Sequence, residues 1–374
     1  MATSPIVDPG AERLGRGGRR APAPGLLRLD PILLLAATGL GACSIVAIDA
    51  TTKASLASRQ GLYFAFGLVV VLLVSQIDYS RLRELKYGVY GLMIAAIAAV
   101  LALGSVTRGS RRAIELGFMQ LQTSELGKVL LCLALAAFLV DRSRRLNERD
   151  TTARAMLMTL FPAALVMIQP DLGSALVYVV IVLAVLFCAG TSWRHFVGLF
   201  ALGAAAIALA LVVAPKLGVE VLHDYQAERL TSFLHPSEDP ADAGYQQKQS
   251  VIAIGSGERT GRGEQATQTA LKFLPEEHTD FIFAVVGERW GFVGAALVLS
   301  LYALLIWRAL RILTMAKNLF GAVIAGGIVA MILFQVFVNV GMNIGIMPIT
   351  GIPLPLMSYG GSSVLTTLLA VGLL

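Results

Sequence analysis

The 374-residue sequence has little charge: Asp, Glu, Lys and Arg make up 14% of it, against about 25% in ordinary globular proteins. Hydrophobic residues make up 56% of the chain, and its mean hydropathy is +0.73. This balance excludes a soluble enzyme, and over most of the chain it also excludes disorder. The protein is therefore expected to be embedded in a membrane.

Cysteine is also scarce. Only Cys43, Cys132 and Cys188 are present, each within an apolar run, which excludes a disulfide scaffold and predicts that the thiols pack as small apolar side chains. The net charge of +6 does not indicate a nucleic-acid partner, because the basic residues lie between apolar runs and not on one exposed face. Their positions indicate membrane topology instead.

Long apolar stretches, by contrast, are frequent. A bilayer core about 30 Å thick needs about 20 apolar residues per helix. With no water to satisfy the backbone, a spanning segment of this kind must be helical. We therefore predict an all-α polytopic membrane protein with about ten transmembrane helices, at residues 31–48, 61–77, 89–106, 122–140, 155–169, 173–190, 196–215, 281–307, 319–341 and 362–374.

The remaining segments suggest how the chain is organised. Residues 1–28 are rich in Ala, Pro, Gly and Arg and are expected to form a disordered tail, which leaves 29–374 as the membrane domain. The tail and the segments after helices two, four, six and eight carry most of the Lys and Arg, so this side is expected to face the cytoplasm. On the opposite side, residues 216–279 form a large extracytoplasmic loop between helices seven and eight. We expect it to be functional and partly folded against the helices.

Ionisable side chains at bilayer depth are costly, and each is a candidate functional residue. Glu125 and Lys128, at i and i+3, share a helix face and can pair, either as a structural ion pair or facing a substrate. Asp171 follows Pro170 in the break before helix six. It either caps that helix or belongs to a site.

The start of helix eight carries the strongest candidate. Asp280 stands at the helix start, and Glu288 falls on nearly the same face two turns deeper. This face must look into a cavity or onto a polar partner, because lipid would not tolerate a line of carboxylates. Asp280 is either the N-cap of the helix or a general base, and the sequence leaves both open.

Two further patterns have simpler interpretations. Gln335, Asn339 and Asn343 recur at i, i+4 and i+8 on helix nine, and hydrogen bonding between helices explains this stripe better than ligand binding does. The glycine-rich segment 255–263 lacks the GxxxxGK[ST] spacing of a phosphate-binding loop. We expect it to be a flexible turn.

Four runs of the sequence together resemble one known family. They are FLPEEHTDFIFAVVGE (273–288), QPDLGS (169–174), GYQQKQS (244–250) and GIMPITGIPLPLMSYGGSS (345–363). These runs are similar to those of the SEDS family of peptidoglycan glycosyltransferases, RodA and FtsW. The last run, with the residues 340–345 before it, looks more like RodA.

The resemblance implies a ten-helix polymerase of the bacterial cytoplasmic membrane, with its active site on the extracytoplasmic face. Such an enzyme joins lipid II units into glycan strands, and the RodA-like run indicates cell-wall elongation and rod shape. A class B penicillin-binding protein, a transpeptidase, is the implied partner. The essential acid of the family matches Asp280. The candidate substrate-binding residues are Glu125, Lys128, Arg111, Asp171, Gln249, Ser250, His278, Glu288 and Ser358.

The expected chemistry is one displacement with inversion. Asp280 takes the proton of an acceptor hydroxyl that attacks the donor sugar, while Arg108, Arg111, Arg112 or Lys128 stabilises the departing pyrophosphate. No cofactor is required by this scheme; a divalent cation, Mg²⁺ or Mn²⁺, on Glu276, Glu277 or Glu288 is the weaker alternative. Two other functions stay open at this point: a lipid II flippase, and a scaffold that only docks a transpeptidase.

Overall fold

The computed structural model describes residues 29–51, 55–77, 80–107, 110–115, 117, 119–210, 216, 243–271, 273–274 and 276–374. The predicted tail, 1–28, and much of the predicted loop at 216–279 lie outside these ranges. The division into a disordered tail and a membrane domain therefore stays a prediction.

Helices dominate the described residues. They are α1 (Pro31–Asp49), α2 (Ser55–Val74), α3 (Ser80–Glu84), α4 (Lys86–Leu103), α5 (Thr123–Asp141), α6 (Arg149–Ile168), α7 (Leu172–Ala189), α8 (Trp193–Ala208), α9 (Ala243–Ser256), α10 (Thr267–Ala270), α11 (Ile282–Met315), α12 (Leu319–Asn343) and α13 (Gly361–Leu373). Eight of them are long and apolar enough to cross a membrane, and α8 and α13 are shorter apolar helices. These ten correspond to the ten predicted spans, which confirms the all-α polytopic fold.

Some helices extend beyond the predicted apolar stretches. α6 begins at Arg149, and α11 continues to Met315. At the start of α6 charged side chains explain the difference, because they form ion pairs outside the apolar core: Asp150 contacts Arg142 and Arg154, each at 2.9 Å. Long side chains of this kind keep their charge in water while the helix continues.

A small antiparallel sheet between α4 and α5 was not predicted. It consists of β1 (Ser105–Thr107), β2 (Ser110–Glu115) and β3 (Gln120–Leu121), in the order β1-β2-β3. Ser105 of β1 pairs with Ala113 of β2, and Ile114 of β2 pairs with Leu121 of β3. Where the chain leaves the apolar core, strand pairing satisfies backbone groups that a helix would otherwise satisfy.

The core centres on α5 and α12, which pack against α7 and against each other. Small residues permit this close approach: a Cβ at Gly327 would meet the Cys132 thiol, and a Cβ at Gly326 would meet the Cys188 thiol. All three cysteines are free, and Cys132 donates to the Ile324 carbonyl at 3.4 Å. The predicted packing of these thiols among apolar helices is thus confirmed.

Ion pairs collect at the end of the bundle where α1 starts and α11 finishes, here called the Arg308 end. Arg308 contacts Asp30 at 2.5 Å, and Lys86 at the start of α4 pairs with Asp141 at the end of α5. Asp30 also caps α1, accepting from the N–H groups of Ile32 and Leu33. The hydrogen bond from Arg308 holds the pKa of the Asp30 carboxyl below its usual value.

The long helix α11 is broken at Gly291, which has φ 63° and ψ −155°. The glycine-rich segment 257–262 fills this break: the Phe292 and Val293 N–H groups donate to the Glu258 and Arg259 carbonyls at 2.9 and 3.1 Å. The Arg262 N–H donates to the Glu288 carbonyl at 2.9 Å. The segment forms a turn at 257–260, as expected, but hydrogen bonds to α11 hold its backbone in place. It replaces the hydrogen bonds that the helix loses.

Candidate active site

Asp280 lies in a short turn, residues 276–281, that leads into α11. The helix begins at Ile282 with Phe281 at the N-cap position, so Asp280 stands one residue before the cap. Its side chain is half-buried. The end of the bundle that carries this turn, opposite the Arg308 end, is called the Asp280 end below.

The run before α13 holds the turn by two hydrogen bonds. The Tyr359 N–H donates to the His278 carbonyl at 2.9 Å, and the two rings lie 5.9 Å apart. The Ser358 hydroxyl donates to the Thr279 carbonyl at 2.6 Å and accepts from the Leu354 N–H at 2.8 Å. Ser358 is therefore engaged on both sides by the protein backbone.

The carbonyl of Asp280 itself is held by two asparagines of α12. Nδ2 of Asn339 and Nδ2 of Asn343 each donate to it at 3.1 Å. Asn343 also accepts, through Oδ1, from the Ala284 N–H in the first turn of α11 at 3.2 Å and from the Ser250 hydroxyl at 3.2 Å. Three consecutive carbonyls, from residue 278 to 280, are thus fixed. The predicted hydrogen bonding between helices is confirmed for Asn343, which meets the Ala284 N–H of α11, whereas the Asn339 side chain bonds a turn and a loop.

The carboxylate of Asp280 lies beside the loop that precedes α13. A Cβ built on Gly351, which has φ 72°, would lie 3.8 Å from Asp280 Oδ2. The same Asn339 amide that holds Asp280 donates to the Ile352 carbonyl at 2.8 Å. On its other side the loop packs closely on Gly173 at the start of α7. This loop therefore joins the Asp280 turn to the start of α7, where Asp171 lies.

Asp171 caps α7, as one of its two sequence interpretations predicts. Its Oδ1 accepts from the Ser174 N–H at 3.0 Å. Its Oδ2 accepts from the Gln122 amide at 3.1 Å and from the Ser124 hydroxyl at 2.9 Å. The Gln122 N–H donates to the Ser362 hydroxyl of α13 at 2.9 Å. Asp171 thereby ties the starts of α5 and α7 together.

Glu125 and Lys128 form the predicted ion pair, with Lys128 Nζ 2.5 Å from Glu125 Oε1. The side chains are only 3% and 1% exposed. The nearby Tyr178 hydroxyl donates to the Ser124 carbonyl at 3.1 Å, so the pair lies in a polar layer under Asp171. A substrate-facing role for the pair stays a prediction.

The polar partner of Glu288 is the segment between α9 and α11. Its Oε1 accepts from the Gln268 N–H at 2.7 Å, and its Oε2 accepts from the Thr269 N–H at 3.0 Å and hydroxyl at 2.6 Å. The carboxylate is fully buried. It stabilises the start of the short helix α10, where backbone N–H groups lack helical partners.

The remaining candidates have different surroundings. The Ser250 hydroxyl also donates to the Asn343 carbonyl at 2.9 Å. Gln249 is half-buried, while its neighbour Gln247 donates to the Met347 carbonyl at 2.7 Å. The backbone of Arg111 pairs with β1, but its side chain lies outside the described part of the chain, as do Arg108 and the side chain of Arg112.

Comparison with known proteins decides the family. The sequence matches the model of the FtsW, RodA and SpoVE family, described as cell cycle protein, over residues 30–374. The chain belongs to this family. Its assignment to the SEDS proteins is thereby confirmed.

One relative is MrdB of Escherichia coli strain K12, which is named a peptidoglycan glycosyltransferase. It is 38% identical over 350 residues, which cover 93% of this chain and 92% of MrdB. The match therefore includes nearly the whole of both proteins. The Asp280 turn and the loop before α13 fall within the matched family region.

Two solved structures share the fold. One is a chain from a structure described as "Structural coordination of polymerization and crosslinking by a peptidoglycan synthase complex". The TM-score is 0.79 and the identity 35%, and the match covers 92% of this chain and 96% of that one. The other is the rod shape determining protein RodA of Thermus thermophilus, with a TM-score of 0.67, 32% identity, and coverage of 94% and 96%. This SEDS protein is a multi-pass membrane protein.

The acids suggested as metal ligands do not converge in this SEDS protein. Within the described ranges no group of three or more His, Cys, Asp or Glu could hold a metal ion. Both oxygens of Glu288 bind α10, and Glu276 accepts from the Thr279 hydroxyl at 3.0 Å. No step of the reaction is therefore assigned to a metal, and a divalent cation stays the weaker alternative.

Sequence reasoning missed two residues that support this SEDS site. Gln60 of α2 donates to the Ser358 carbonyl at 3.2 Å and accepts from the Gly360 N–H at 3.3 Å. Ser44 of α1 donates to the Met357 carbonyl at 2.7 Å and accepts from the Gln60 amide at 3.0 Å. A glutamine at the start of an apolar span is the signal that could have identified this contact, since buried amides must be hydrogen-bonded.

Proposed function

We propose that this SEDS protein is a peptidoglycan glycosyltransferase that polymerises lipid II into glycan strands. One relative matched over nearly its full length, MrdB of Escherichia coli, is named a peptidoglycan glycosyltransferase. The observation that carries the proposal for this chain is the Asp280 turn, whose three fixed carbonyls hold a carboxylate beside Gly351. A group held in one position is what acid-base catalysis requires.

In the proposed reaction Asp280 is the general base. The acceptor hydroxyl transfers its proton to the carboxylate while its oxygen forms a bond to the anomeric carbon of the donor sugar. The bond between that carbon and the pyrophosphate oxygen breaks, and the pyrophosphate leaves with the electron pair and its lipid. One displacement inverts the anomeric centre, so an α-linked donor gives a β-linked product.

The pyrophosphate needs cations to stabilise its growing charge. Lys128 is buried and neutralised by Glu125 at 2.5 Å, which favours the arginines of the β1–β2 segment for this task. We propose Arg108, Arg111 and Arg112, since β2 and β3 precede α5, whose start is linked to Asp171 and Ser362.

The cellular setting is part of the proposal. Positive charges at the Arg308 end support a cytoplasmic orientation of that end and of the N-terminus. The Asp280 end would then face outward from the bacterial cytoplasmic membrane. The likeness to a chain of a synthase complex that coordinates polymerization and crosslinking supports a cross-linking transpeptidase as partner. The RodA likeness supports a role in elongation and rod shape.

The test is polymerisation of purified lipid II by the purified protein in detergent, with gel analysis of the glycan product. Asp280→Asn is expected to lower the rate at least ~100-fold, the usual contribution of general base catalysis. Glu264→Gln, which removes the same charge from an exposed position in the 3-10 turn 263–265, is expected to behave as the wild type.

Each other outcome is informative. A flippase makes no polymer in detergent, because there are no leaflets to cross, and a wild-type protein without product would contradict the proposed function. Full polymerisation by Asp280→Asn would leave the activity intact but overturn the base assignment. Adding a chelator to the wild-type reaction tests the divalent cation separately.

A further inference from the structure

We propose that Asn339 is a positioning residue for Asp280, an inference that rests on the proposed glycosyltransferase function. Asn339 is fully buried within α12, so it does not touch the substrate. It acts through the backbone on both sides of the catalytic carboxylate. A buried amide in an apolar helix is costly unless its donors are used, and here they are used on two chain segments.

One nitrogen of Asn339 makes two contacts. Asn339 Nδ2 donates to the Asp280 carbonyl at 3.1 Å and to the Ile352 carbonyl at 2.8 Å. An amide nitrogen has two N–H groups, and each is directed at a different carbonyl. Asn339 thus connects the turn before α11 with the loop before α13.

These two segments together position the Asp280 carboxylate. Gly351, next to Ile352, is the residue against which the Asp280 carboxylate lies, with 3.8 Å between Oδ2 and the built Cβ. Because one amide holds both backbones, a shift of either segment would change the position of the carboxylate relative to the loop. Asn339 therefore sets where the base stands.

Asn339 differs in its contacts from its neighbours on α12. Asn343 shares the Asp280 carbonyl, but it also caps α11 and accepts from Ser250, so its loss would affect folding as well. Gln335 is one turn away on the same helix and equally buried, at 2% exposure. No hydrogen bond of Gln335 to the Asp280 turn is found among the described residues. Gln335 is therefore the matched control.

The experiment compares Asn339→Leu, which keeps the volume but cannot donate, with Gln335→Leu. For Asn339→Leu we expect kcat for lipid II polymerisation to fall about 100-fold with little change in KM, because a misplacement of about 1 Å near a reacting group costs that much. The acid limb of the pH–kcat profile should also move, since the surroundings of the base change. Gln335→Leu should retain the wild-type kcat and profile.

A second measurement does not depend on activity. Hydrogen–deuterium exchange of the folded protein in detergent should be faster in peptides covering 276–285 and 350–358 for Asn339→Leu, and unchanged there for Gln335→Leu. Asn339→Ser restores one donor, although it leaves more empty volume. Its kcat should lie between that of Asn339→Leu and that of the wild type.

These readouts separate the inference from the function on which it rests. Wild-type protein that makes no polymer contradicts the proposed function, and exchange then still tests the positioning. Exchange in both segments equal to the wild type overturns the inference. The inference is also overturned if the loss of kcat equals the loss of folded protein and the pH profile does not move.

Discussion

Asn343 of α12 caps a helix that is not its own: its Oδ1 accepts the Ala284 N–H of α11 at 3.2 Å. Capping oxygens usually come from the residue just before the helix, and the sequence offered Asp280 for this task. A cap from a neighbouring helix leaves Asp280 outside the first turn of α11. It also ties the geometry of that turn to the packing of α11 on α12.

Replacing this cap should destabilise the protein. For Asn343→Leu we expect the free energy of unfolding to fall by about 2 kcal/mol, because the cap is lost together with the hydrogen bonds donated to the Asp280 and Asn339 carbonyls. Asn318, whose Oδ1 caps α12 through the Gly321 N–H at 2.8 Å, provides the control at the Arg308 end. Asn318→Ala should lose about 1 kcal/mol and keep its kcat. Thermal unfolding in detergent measures the stability of each variant, and lipid II turnover measures its kcat. Equal losses of kcat in Asn343→Leu and Asn318→Ala would contradict the link between the Asn343 cap and the Asp280 turn.

Gly351 should be sensitive in activity as well as in stability. It has φ 72° beside the Asp280 carboxylate, so Gly351→Ala should cost about 1–2 kcal/mol and shift the loop that contacts the base. We expect kcat to fall roughly tenfold. Gly190→Ala introduces similar strain at φ 87° with nothing within 4 Å, and it should lower only the melting temperature. If both variants lose the same activity, strain alone accounts for the effect.

The Glu125–Lys128 pair allows a test of its two interpretations. Either single change, Glu125→Gln or Lys128→Met, leaves one buried charge without its partner and should cost about 3–5 kcal/mol. The double variant should recover most of this stability, since no buried charge remains. Its activity then decides between the roles: a stable and active double variant indicates a structural pair, while a stable but inactive one indicates contact with substrate.

Asp30 should make stability depend on pH at the Arg308 end. Its pKa is lowered by the hydrogen bond from Arg308, so the carboxylate stabilises the fold above the unfolded value of about 3.9. This contribution is lost as the pH falls through the lower pKa of the folded state. Asp30→Asn keeps the capping oxygen and should flatten the fall of melting temperature below about pH 4. Arg308→Met should flatten it too; an unchanged acid limb in both variants would contradict the coupling.

Much of the site could be identified before the fold was known. Polar and ionisable residues inside apolar spans stand out because burying them is costly. This signal predicted the Glu125–Lys128 ion pair, the Asp171 cap and the hydrogen bonding of the α12 asparagines, and the structure contains all three. It could not distinguish a carboxylate that meets substrate from one like Glu288, whose oxygens bind the start of α10. Burying either kind of carboxylate is costly, because each carries a charge.

Other features required the packed structure. The segment 257–262 looks flexible in sequence, yet its backbone satisfies the groups freed by the break at Gly291. Those partners are separated along the chain by more than a helix turn, and no periodicity relates them. Gln60 likewise reaches the run before α13 across 298 residues.

The sequence by itself determined the membrane class, the ten spans and the acid at the entrance to α11, because apolar length and the cost of buried charge are local properties of a chain. Only the tertiary structure decided what holds that acid. Asn339 and Ser358 lie 59 and 79 residues from the carbonyls they bind. Such contacts form only when α11, α12 and the run before α13 pack together, since hydrogen bonds act over about 3 Å of space and not along the sequence.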